Sequence, residues 1–476
     1  MTAYREWRAP IAYIADPAAR AQTYYNLIQS ARESLILQMY LLAEGDELAT
    51  LQPIPGAFPW ARTLSDWLIA RKRDCPALDI VVILDTQTPA DPTATRRGTG
   101  PLTRHRLEAA GIPVLNAHLF DTRFDRRRRW PRSARFHQKA WQETPRQRWV
   151  RAQRHWQTWH NVEDHRKNLV IDGGAWGFVT SQNATDMSAR WHENALLVGA
   201  PAAGDLWVEA TKALRKALTL PQGLTAPTRA RLETLAGQPP TRQETAPPAA
   251  ALVPALSALG GAPAQAVPAH GRVMVLASTE IRPAIVRDLR ALPPDGEFLA
   301  ASAYLSDAAL IESLATHPSG VRARVLIDDC AGLPLPRILR WAVTTFVNLR
   351  GVAQARKARG GRFEMRIHRS GGRGLMHLKT CAFLGDTRHL IGGQANFTPN
   401  SFSGAWIETD LRVVDGDAVD AFVAQFEPLW AGAEPVLPYG RRLGGLRGRL
   451  VAAYERSRDA CLLGLLAVFE RIGIRP

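Results

Sequence analysis

Two stretches of the chain repeat one order of apolar and polar segments. Each begins with an apolar run that carries a tyrosine, "ESLILQMYLL" with Tyr40 and "GEFLAASAYLSD" with Tyr304. A second apolar run that ends in aspartate follows in each, "DIVVILD" with Asp85 and "VRARVLID" with Asp328. Short runs rich in Val, Ile and Leu are typical of buried strands, and the amphipathic stretch between the two runs predicts a helix.

The rest of the plan also occurs twice. Each stretch continues with a predicted β-hairpin, a turn that carries an asparagine, and an acidic residue that opens another strand. Each closes with a predicted helix, "PAAGDLWVEATKALRKAL" in the first stretch and "DGDAVDAFVAQFEPLW" in the second. Strands that alternate with helices predict an α/β fold, and the duplication predicts two halves related by a pseudo-twofold axis.

The length of 476 residues also favours two halves, because one hydrophobic core rarely organises so long a chain. The segment between the two repeats is rich in Pro and Ala and has no sustained apolar periodicity, which predicts a linker. The predicted divisions are a first half at 1–218 with an insertion at 119–160, a linker at 219–270, a second half at 271–440, and an amphipathic tail at 441–476.

Composition limits the class of protein. A hydrophobic content of 46% excludes a disordered chain, and the net charge of +16 favours an anionic partner or reflects a general bias toward arginine. The four cysteines form no metal-binding spacing, which favours a reduced, cytoplasmic protein. No apolar run approaches the roughly 18 residues that span a bilayer, so we expect any membrane contact to be peripheral.

Polar residues recur at matching offsets after the second predicted strand of each half. His-x-Lys is followed by Asn after 18 or 19 residues and by Glu after 28 or 31 residues, counted from the histidine. The first set contains His165, Lys167, Asp172, Asn183 and Glu193. The second set contains His377, Lys379, Asp386, Asn396 and Glu408.

These residue types suit attack on a phosphodiester. On a strand, positions i and i+2 share a face, so each histidine and its lysine are expected to point at the same space. A neutral imidazole can attack phosphorus while a carboxylate holds its other nitrogen, the role we predict for Glu193 and Glu408. Lysine supplies a compact charge for phosphoryl oxygens, and Asn183 and Asn396 can donate hydrogen bonds to them. Only seven of the 60 basic residues are lysines, so arginine would be the commoner choice for mere charge.

The two sets resemble the paired HKD motifs, HxKxxxxD followed by GSxN, of the phospholipase D superfamily. "HRKNLVID" matches the core pattern, and "TSQN" follows it. In the second copy Leu384 stands at the expected aspartate position, Asp386 comes two residues later, and "GGQAN" replaces GSxN. The resemblance implies two fused α/β/α sandwich halves, with Asp172 and Asp386 as structural residues of the motifs.

The resemblance also implies a two-step mechanism that uses neither a metal nor a cofactor. One histidine forms a phosphohistidine, and the other protonates the leaving alcohol and then activates water or an acceptor alcohol. By similarity to two-motif phospholipases, His165 is the nucleophile and His377 the acid, with the reverse order as the alternative. Two motifs in one chain imply that a monomer can hold a complete site.

The insertion at 119–160 is basic and rich in tryptophan. It contains twelve Lys plus Arg, three Asp plus Glu, and five of the fourteen tryptophans. This mixture is typical of an interfacial anchor on an anionic membrane, with nucleic-acid binding or packing of the tryptophans onto the protein as the alternatives. The tail at 441–476 predicts an amphipathic helix that contacts the same membrane or packs on the second half.

The leading prediction is a phospholipase D-like phosphodiesterase or phosphatidyltransferase, most similar to bacterial cardiolipin synthases. Its substrate is expected to be a phospholipid at the cytoplasmic face of the inner membrane. One alternative is a metal-independent nuclease of the same superfamily. The other is a catalytically silent protein that binds lipid or nucleic acid. The sequence leaves the acceptor open, because pocket walls outside the motifs determine it.

Overall fold

A computed structural model gives the structure of the chain. It describes residues 5–43, 59–85, 101–117, 163–185, 188–219, 222–241, 269–317, 320–331, 346–357, 363–370, 374–404, 406–437 and 445–471. The predicted insertion at 119–160 lies outside these residues, as does the part of the predicted linker between 242 and 268.

The strands of the first half, in chain order, are β1 (Trp7–Ile14), β2 (Ser34–Met39), β3 (Leu42–Ala43), β4 (Asp79–Leu84), β5 (Val114–Asn116), β6 (Glu163–Asp164), β7 (Asn168–Ile171), β8 (Trp176–Thr180), β9 (Ala184–Thr185) and β10 (Ala195–Gly199). Those of the second half are β11 (Ala269–Ala277), β12 (Glu297–Ser302), β13 (Arg322–Asp328), β14 (Phe363–His368), β15 (Lys379–Leu384), β16 (His389–Gly393), β17 (Trp406–Ile407), β18 (Thr409–Val414) and β19 (Glu434–Pro435).

The helices of the first half and the linker are α1 (Pro17–Ser30), α2 (Trp60–Asp74), α3 (Pro101–Ala109), α4 (Ala202–Leu218) and α5 (Ala226–Gly237). Those of the second half and the tail are α6 (Ser278–Arg290), α7 (Ala308–Thr316), α8 (Leu349–Lys357), α9 (Pro399–Ser403), α10 (Gly416–Gly432) and α11 (Gly445–Arg471).

One mixed sheet runs through both halves of the described chain. Its order is β5-β4-β2-β7-β8-β10-β1 in the first half, continued by β11-β18-β16-β15-β12-β13-β14-β19 in the second. Reading outward from the junction, the two halves have equivalent strands in equivalent places. At the junction β1 and β11 pair antiparallel, with Trp7 opposite Val273. The predicted α/β fold with two pseudo-twofold halves is therefore confirmed.

Helices cover both faces of the sheet, as an α/β/α sandwich requires. On one face α4 and α10 pack into a single core shared by the halves, which contains Trp207 and Phe422. On the other face each half has its own core, with α1 and α2 over the first and α6 and α7 over the second. Because one core and one sheet cross the junction, the two halves are held in a fixed relation.

The segment predicted as a linker, 219–270, contains helix α5. Thr225 caps the start of α5 by accepting the N–H of Thr228, and Pro227 favours the first helical turn. Leu232 and Leu235, three residues apart, are buried on one side of the helix. Two buried leucines are a weak periodic signal within a Pro- and Ala-rich segment, and packing against the first half stabilises the helix.

The tail forms the predicted helix, α11, and one side of it packs on the second half. Leu466 is buried against Phe346 and Leu349, and the Asp459 carboxylate accepts a hydrogen bond from Arg356. Among the helices of the described chain, none has the length and apolar character that crossing a bilayer requires.

Candidate active site

The two His-x-Lys pairs occupy equivalent positions just before a strand of each hairpin. Lys167 directly precedes β7, and Lys379 is the first residue of β15. The Nζ of Lys167 donates to the carbonyl oxygen of His165 at 2.7 Å, and the Nζ of Lys379 donates to that of His377 at 2.9 Å. Of these four residues only Lys379 lies within a strand, and the backbone of each histidine pairs with the other half of the protein.

That pairing brings the two motifs to the interface between the halves. Strand β6, which directly precedes His165, pairs parallel with β17, and the N–H of His165 donates to Ile407 O at 3.0 Å. In the same way the N–H of His377 donates to His192 O at 2.8 Å. Each histidine therefore stands against the segment of the other half that carries the predicted glutamate.

Each imidazole is held by the carboxylate of the opposite half. His165 Nδ1 lies 3.0 Å from Glu408 Oε1, and His377 Nδ1 lies 2.9 Å from Glu193 Oε1. All four side chains are buried. A carboxylate on Nδ1 fixes the ring orientation and leaves Nε2 to act as nucleophile or acid.

A serine hydroxyl orients each carboxylate, but the two serines come from different places. Ser181, in the turn after β8, donates to Glu193 Oε2. The second motif has no serine in "GGQAN", and Ser401 in α9 donates to Glu408 Oε1 at 3.1 Å instead. The departure from the GSxN pattern is thus compensated by a residue outside the motif.

The two predicted asparagines lie in buried turns. Asn183 precedes β9, and Asn396 precedes α9 by three residues. Both side chains are buried, and neither amide oxygen has a hydrogen-bond partner in the described part of the chain. A buried amide without a partner is costly, which leaves these groups available for a bound ligand.

Aromatic rings cover both histidines, and sequence reasoning assigned them no role. Trp406 stacks on His165 with ring centroids 5.0 Å apart, and Trp191 meets the His377 ring edge-on at the same distance. Tyr40 also packs on His165, at 4.2 Å. Each tryptophan stands two residues before the glutamate of its half, so a repeated Trp-x-Glu was the available sequence signal.

Asp85, directly after β4, and Asp328, the last residue of β13, accept hydrogen bonds from the backbone of the motifs. The Asp85 carboxylate accepts the N–H of Asp164, and Asp328 accepts the N–H of Met376 at 2.8 Å. In each case the amide belongs to the residue directly before the motif histidine. The sequence revealed both aspartates as strand ends but gave no reason to connect them with the motifs.

Burial keeps both imidazoles neutral at pH 7. Desolvation, followed by the charges of Lys167 and Lys379, holds the pKa of His165 well below 6.5. Desolvation also lowers the pKa of His377 to about 4, although the Glu193 carboxylate opposes that shift. An unprotonated imidazole is the form required for attack on phosphorus.

The two lysines are close to losing their charge at neutral pH. Burial lowers the pKa of Lys167 to about 8 and that of Lys379 to about 7, while Glu408 and Glu193 partly offset the effect. The pKa of Glu193 is lowered, because His377 and Lys379 outweigh the burial that would raise it. A phosphodiester anion bound between the lysines would restore their positive charge.

This electrostatic arrangement predicts an alkaline limit on activity near neutral pH. The cationic form of each lysine attracts the phosphodiester, and a lowered pKa means that this form is lost at lower pH. We therefore expect kcat/KM for a soluble nitrophenyl phosphodiester to fall as pH rises through about 7 to 8. Lys379→Arg should remove the part of this decline that occurs near pH 7, because a guanidinium keeps its charge there, although overall activity falls. A wild-type profile that stays level to pH 9 would contradict this assignment.

The aspartates that follow each lysine differ in role. The Asp172 carboxylate accepts the backbone N–H groups of Arg32, Glu33 and Ser34 at 2.8 to 3.1 Å, which ties the α1–β2 turn to β7. Asp386 is exposed and has no hydrogen bond to any described residue. The predicted structural role therefore fits the contacts of Asp172 and not those of Asp386, which lies in the turn beyond β15.

This difference predicts unequal effects on stability. Asp172→Ala removes three charge-assisted hydrogen bonds and places alanine at a φ of 48°, which should lower the free energy of unfolding by about 2–4 kcal/mol. Asp386→Ala is the matched control and should change it by less than about 0.5 kcal/mol. Urea denaturation measures both values, and equal losses would refute the distinction.

Comparisons with known proteins place this geometry in context. No protein-family profile and no curated protein sequence matches the chain. The phosphatidylserine synthase of Haemophilus influenzae Rd KW20 matches in structure with a TM-score of 0.55 at 11% identity, over 97% of this chain and 96% of that one. This similarity confirms the fold expected from the paired motifs.

Two further solved structures match with lower scores. The polyphosphate kinase of Porphyromonas gingivalis has a TM-score of 0.43 at 12% identity, over 96% of this chain and 56% of that one. Nuc, a phospholipase D family member from Salmonella typhimurium, has a TM-score of 0.28 at 13% identity, over 35% of this chain and 97% of that one.

Proposed function

We propose that this chain, which has the fold of the phospholipase D superfamily, is a phosphodiesterase or phosphatidyltransferase that acts on phospholipids, similar to cardiolipin synthases. The observation that carries the proposal is the crossed pair of dyads, His165 with Glu408 and His377 with Glu193. Each dyad includes a carboxylate from the opposite half and stands beside a buried lysine. One imidazole for attack, a second for proton transfer, and two lysine cations suit a phosphodiester in two-step transfer.

The mechanism follows from the atoms that the dyads leave free. Nε2 of His165 attacks phosphorus, the bond from phosphorus to the leaving alcohol breaks, and the alcohol takes a proton from Nε2 of His377, whose imidazolium form the bound phosphodiester anion favours. His377 then removes a proton from water or an acceptor alcohol, which attacks the phosphohistidine and releases His165. Lys167 and Lys379 stabilise the phosphoryl oxygens in both steps.

A lipid substrate is supported by an exposed apolar face on helix α11. Leu450, Tyr454, Leu465 and Val468 are 40% to 68% exposed, and their spacing places them on one face. The buried residues Ala452, Asp459 and Leu466 lie on the opposite face. With a net charge of +16, this face suits an anionic membrane, which we propose as its partner. The phosphatidylserine synthase named above also acts in phospholipid chemistry, as its name states.

The test offers the purified protein phosphatidylglycerol vesicles and, separately, single- and double-stranded DNA, with chelator present. Release of phosphatidate or formation of cardiolipin supports the proposal. Cleavage of DNA without lipid turnover supports the nuclease instead. No turnover, with unchanged binding by His165→Ala and His377→Ala, would identify a silent binding protein.

The membrane contact has its own test. Leu450→Ser with Leu465→Ser should weaken association with anionic vesicles and lower vesicle turnover, while turnover of a soluble diester remains within about twofold. Ala460→Ser, at an exposed position on another side of the same helix, is the matched control, with no expected change. Equal losses on vesicles and the soluble diester would refute a membrane role for this face.

A further inference from the structure

A third imidazole–carboxylate pair lies beside His377. Asp328 and His368 end the neighbouring strands β13 and β14 and stand opposite each other in the sheet. His368 Nδ1 lies 3.0 Å from Asp328 Oδ2, and His368 is 9% exposed. The mechanism derived above makes no use of this ring.

The contacts of Asp328 indicate which nitrogen of His368 is free. Asp328 Oδ1 accepts the N–H of Cys330 at 2.6 Å, and Oδ2 accepts that of Met376. A carboxylate that accepts two backbone donors also accepts from His368, so Nδ1 carries the hydrogen. Nε2 of the neutral ring then has a free lone pair, and no described residue hydrogen-bonds it.

His368 packs against the segment that adjoins the second motif. Its ring meets the His192 ring edge-on with centroids 5.4 Å apart. His192 directly precedes Glu193, and its carbonyl accepts the N–H of His377. Asp328, the partner of His368, accepts the N–H of Met376, which directly precedes His377. Two contacts thus place the His368–Asp328 pair against the residues that adjoin His377 and Glu193.

The corresponding places on the other side of the pseudo-twofold axis are apolar. Ile407 occupies the place of His192, since its carbonyl accepts the N–H of His165 and it directly precedes Glu408. Ala117 occupies the place of His368, because it follows β5 beside Asp85 as His368 ends β14 beside Asp328. Among the described residues, these two places are therefore polar near His377 and apolar near His165.

We propose that His368, oriented by Asp328 and flanked by His192, binds a hydroxyl of the polar alcohol part of the substrate. This inference rests on the proposed function and specifies its substrate: a phosphodiester whose leaving or accepting alcohol is a polyol. Nε2 accepts a hydrogen bond from that alcohol on the side where His377 donates or removes its proton. The apolar side, with Ile407 and Ala117, then receives the lipid part.

The test compares two lipids in detergent micelles, phosphatidylglycerol and phosphatidyl-p-nitrophenol, which has no headgroup hydroxyl. His368→Phe keeps a ring against His192 but loses Nε2. The ratio of kcat/KM for phosphatidylglycerol to that for phosphatidyl-p-nitrophenol should fall about 10- to 100-fold, mainly through KM. His368→Gln, which can still bond Asp328, should restore part of the ratio. An unchanged ratio in both variants would overturn the proposal.

A binding measurement separates failure of this inference from failure of the proposed function. In the His165→Ala background, His368→Phe should weaken calorimetric binding of glycerophosphoglycerol about tenfold and leave the affinity for dimethyl phosphate within about twofold. If the wild type turns over neither lipid but His368→Phe selectively weakens glycerophosphoglycerol binding, the hydroxyl site is supported and the proposed reaction is rejected. If the wild type turns over lipid but His368→Phe weakens neither ligand selectively, only the hydroxyl site is rejected.

Discussion

Replacing His165 by alanine is expected to lower turnover of any phosphodiester substrate by about 10⁴-fold or more. The reason is that Nε2 of this ring forms the covalent bond to phosphorus in the proposed mechanism. His377→Ala should be nearly as damaging with phosphatidylglycerol, because the glycerol leaving group needs a proton.

An activated substrate distinguishes the two histidines. With phosphatidyl-p-nitrophenol the leaving group needs no acid, so His377→Ala should give a burst of nitrophenol and accumulate a phosphatidyl adduct on His165. The adduct persists because the base that activates water is missing. Peptide mass spectrometry locates it. An adduct on His377 in the His165→Ala protein would instead assign the nucleophile to the second half.

The next largest expected effect belongs to Glu193→Gln, which should lower kcat by about 10²- to 10⁴-fold. The substitution keeps the volume of the side chain but removes the negative charge that orients His377 through Nδ1. Burial raises the pKa of Glu408 to about 8, so Glu408→Gln should act on His165 in the same direction but remove less negative charge at pH 7. Because both glutamates are buried, thermal unfolding of each variant must accompany the kinetics.

The contacts of each histidine with the glutamate of the opposite half predict which pairs of substitutions have non-additive effects on the rate. In the His377→Ala background, Glu193→Gln should leave the rate of the nitrophenol burst within about threefold, because its partner ring is already absent. Glu408→Gln should slow the same burst strongly, because it orients His165. The reverse pattern would mean that each glutamate serves the histidine of its own half.

The site combines a symmetric reaction centre with unequal walls. Both halves contain the lysine, the histidine, the glutamate and the aspartate that accepts a motif N–H, and their hydrogen bonds match. The walls diverge, with His192 and His368 on one side and Ile407 and Ala117 on the other. Symmetry suits a phosphoryl group that is attacked from opposite directions in the two steps. The unequal walls suit a substrate with one lipid end and one polar end.

Much of the architecture could be predicted because its signals are local. Apolar runs and hairpin spacing fixed the elements of each half, and the duplicated His-x-Lys identified the motifs without structural information. Helix α5 within the predicted linker was not predicted, since it depends on contacts with the first half that its composition does not reveal. Asp386 was predicted to be a structural residue from its place in the motif. Of the two aspartates, only Asp172 faces backbone N–H groups of the described residues, so only its contacts fit that role.

The sequence by itself therefore determined the two α/β halves, their repeated order of strands and helices, and the residues proposed to carry the chemistry. The tertiary structure decided which carboxylate contacts which histidine, where Ser401 replaces the missing motif serine, and how His368 comes to lie against His192. These contacts join residues that are 7 to 243 positions apart in the sequence. Periodicity and spacing report on neighbours along the chain, whereas such contacts arise when separate strands and helices pack together.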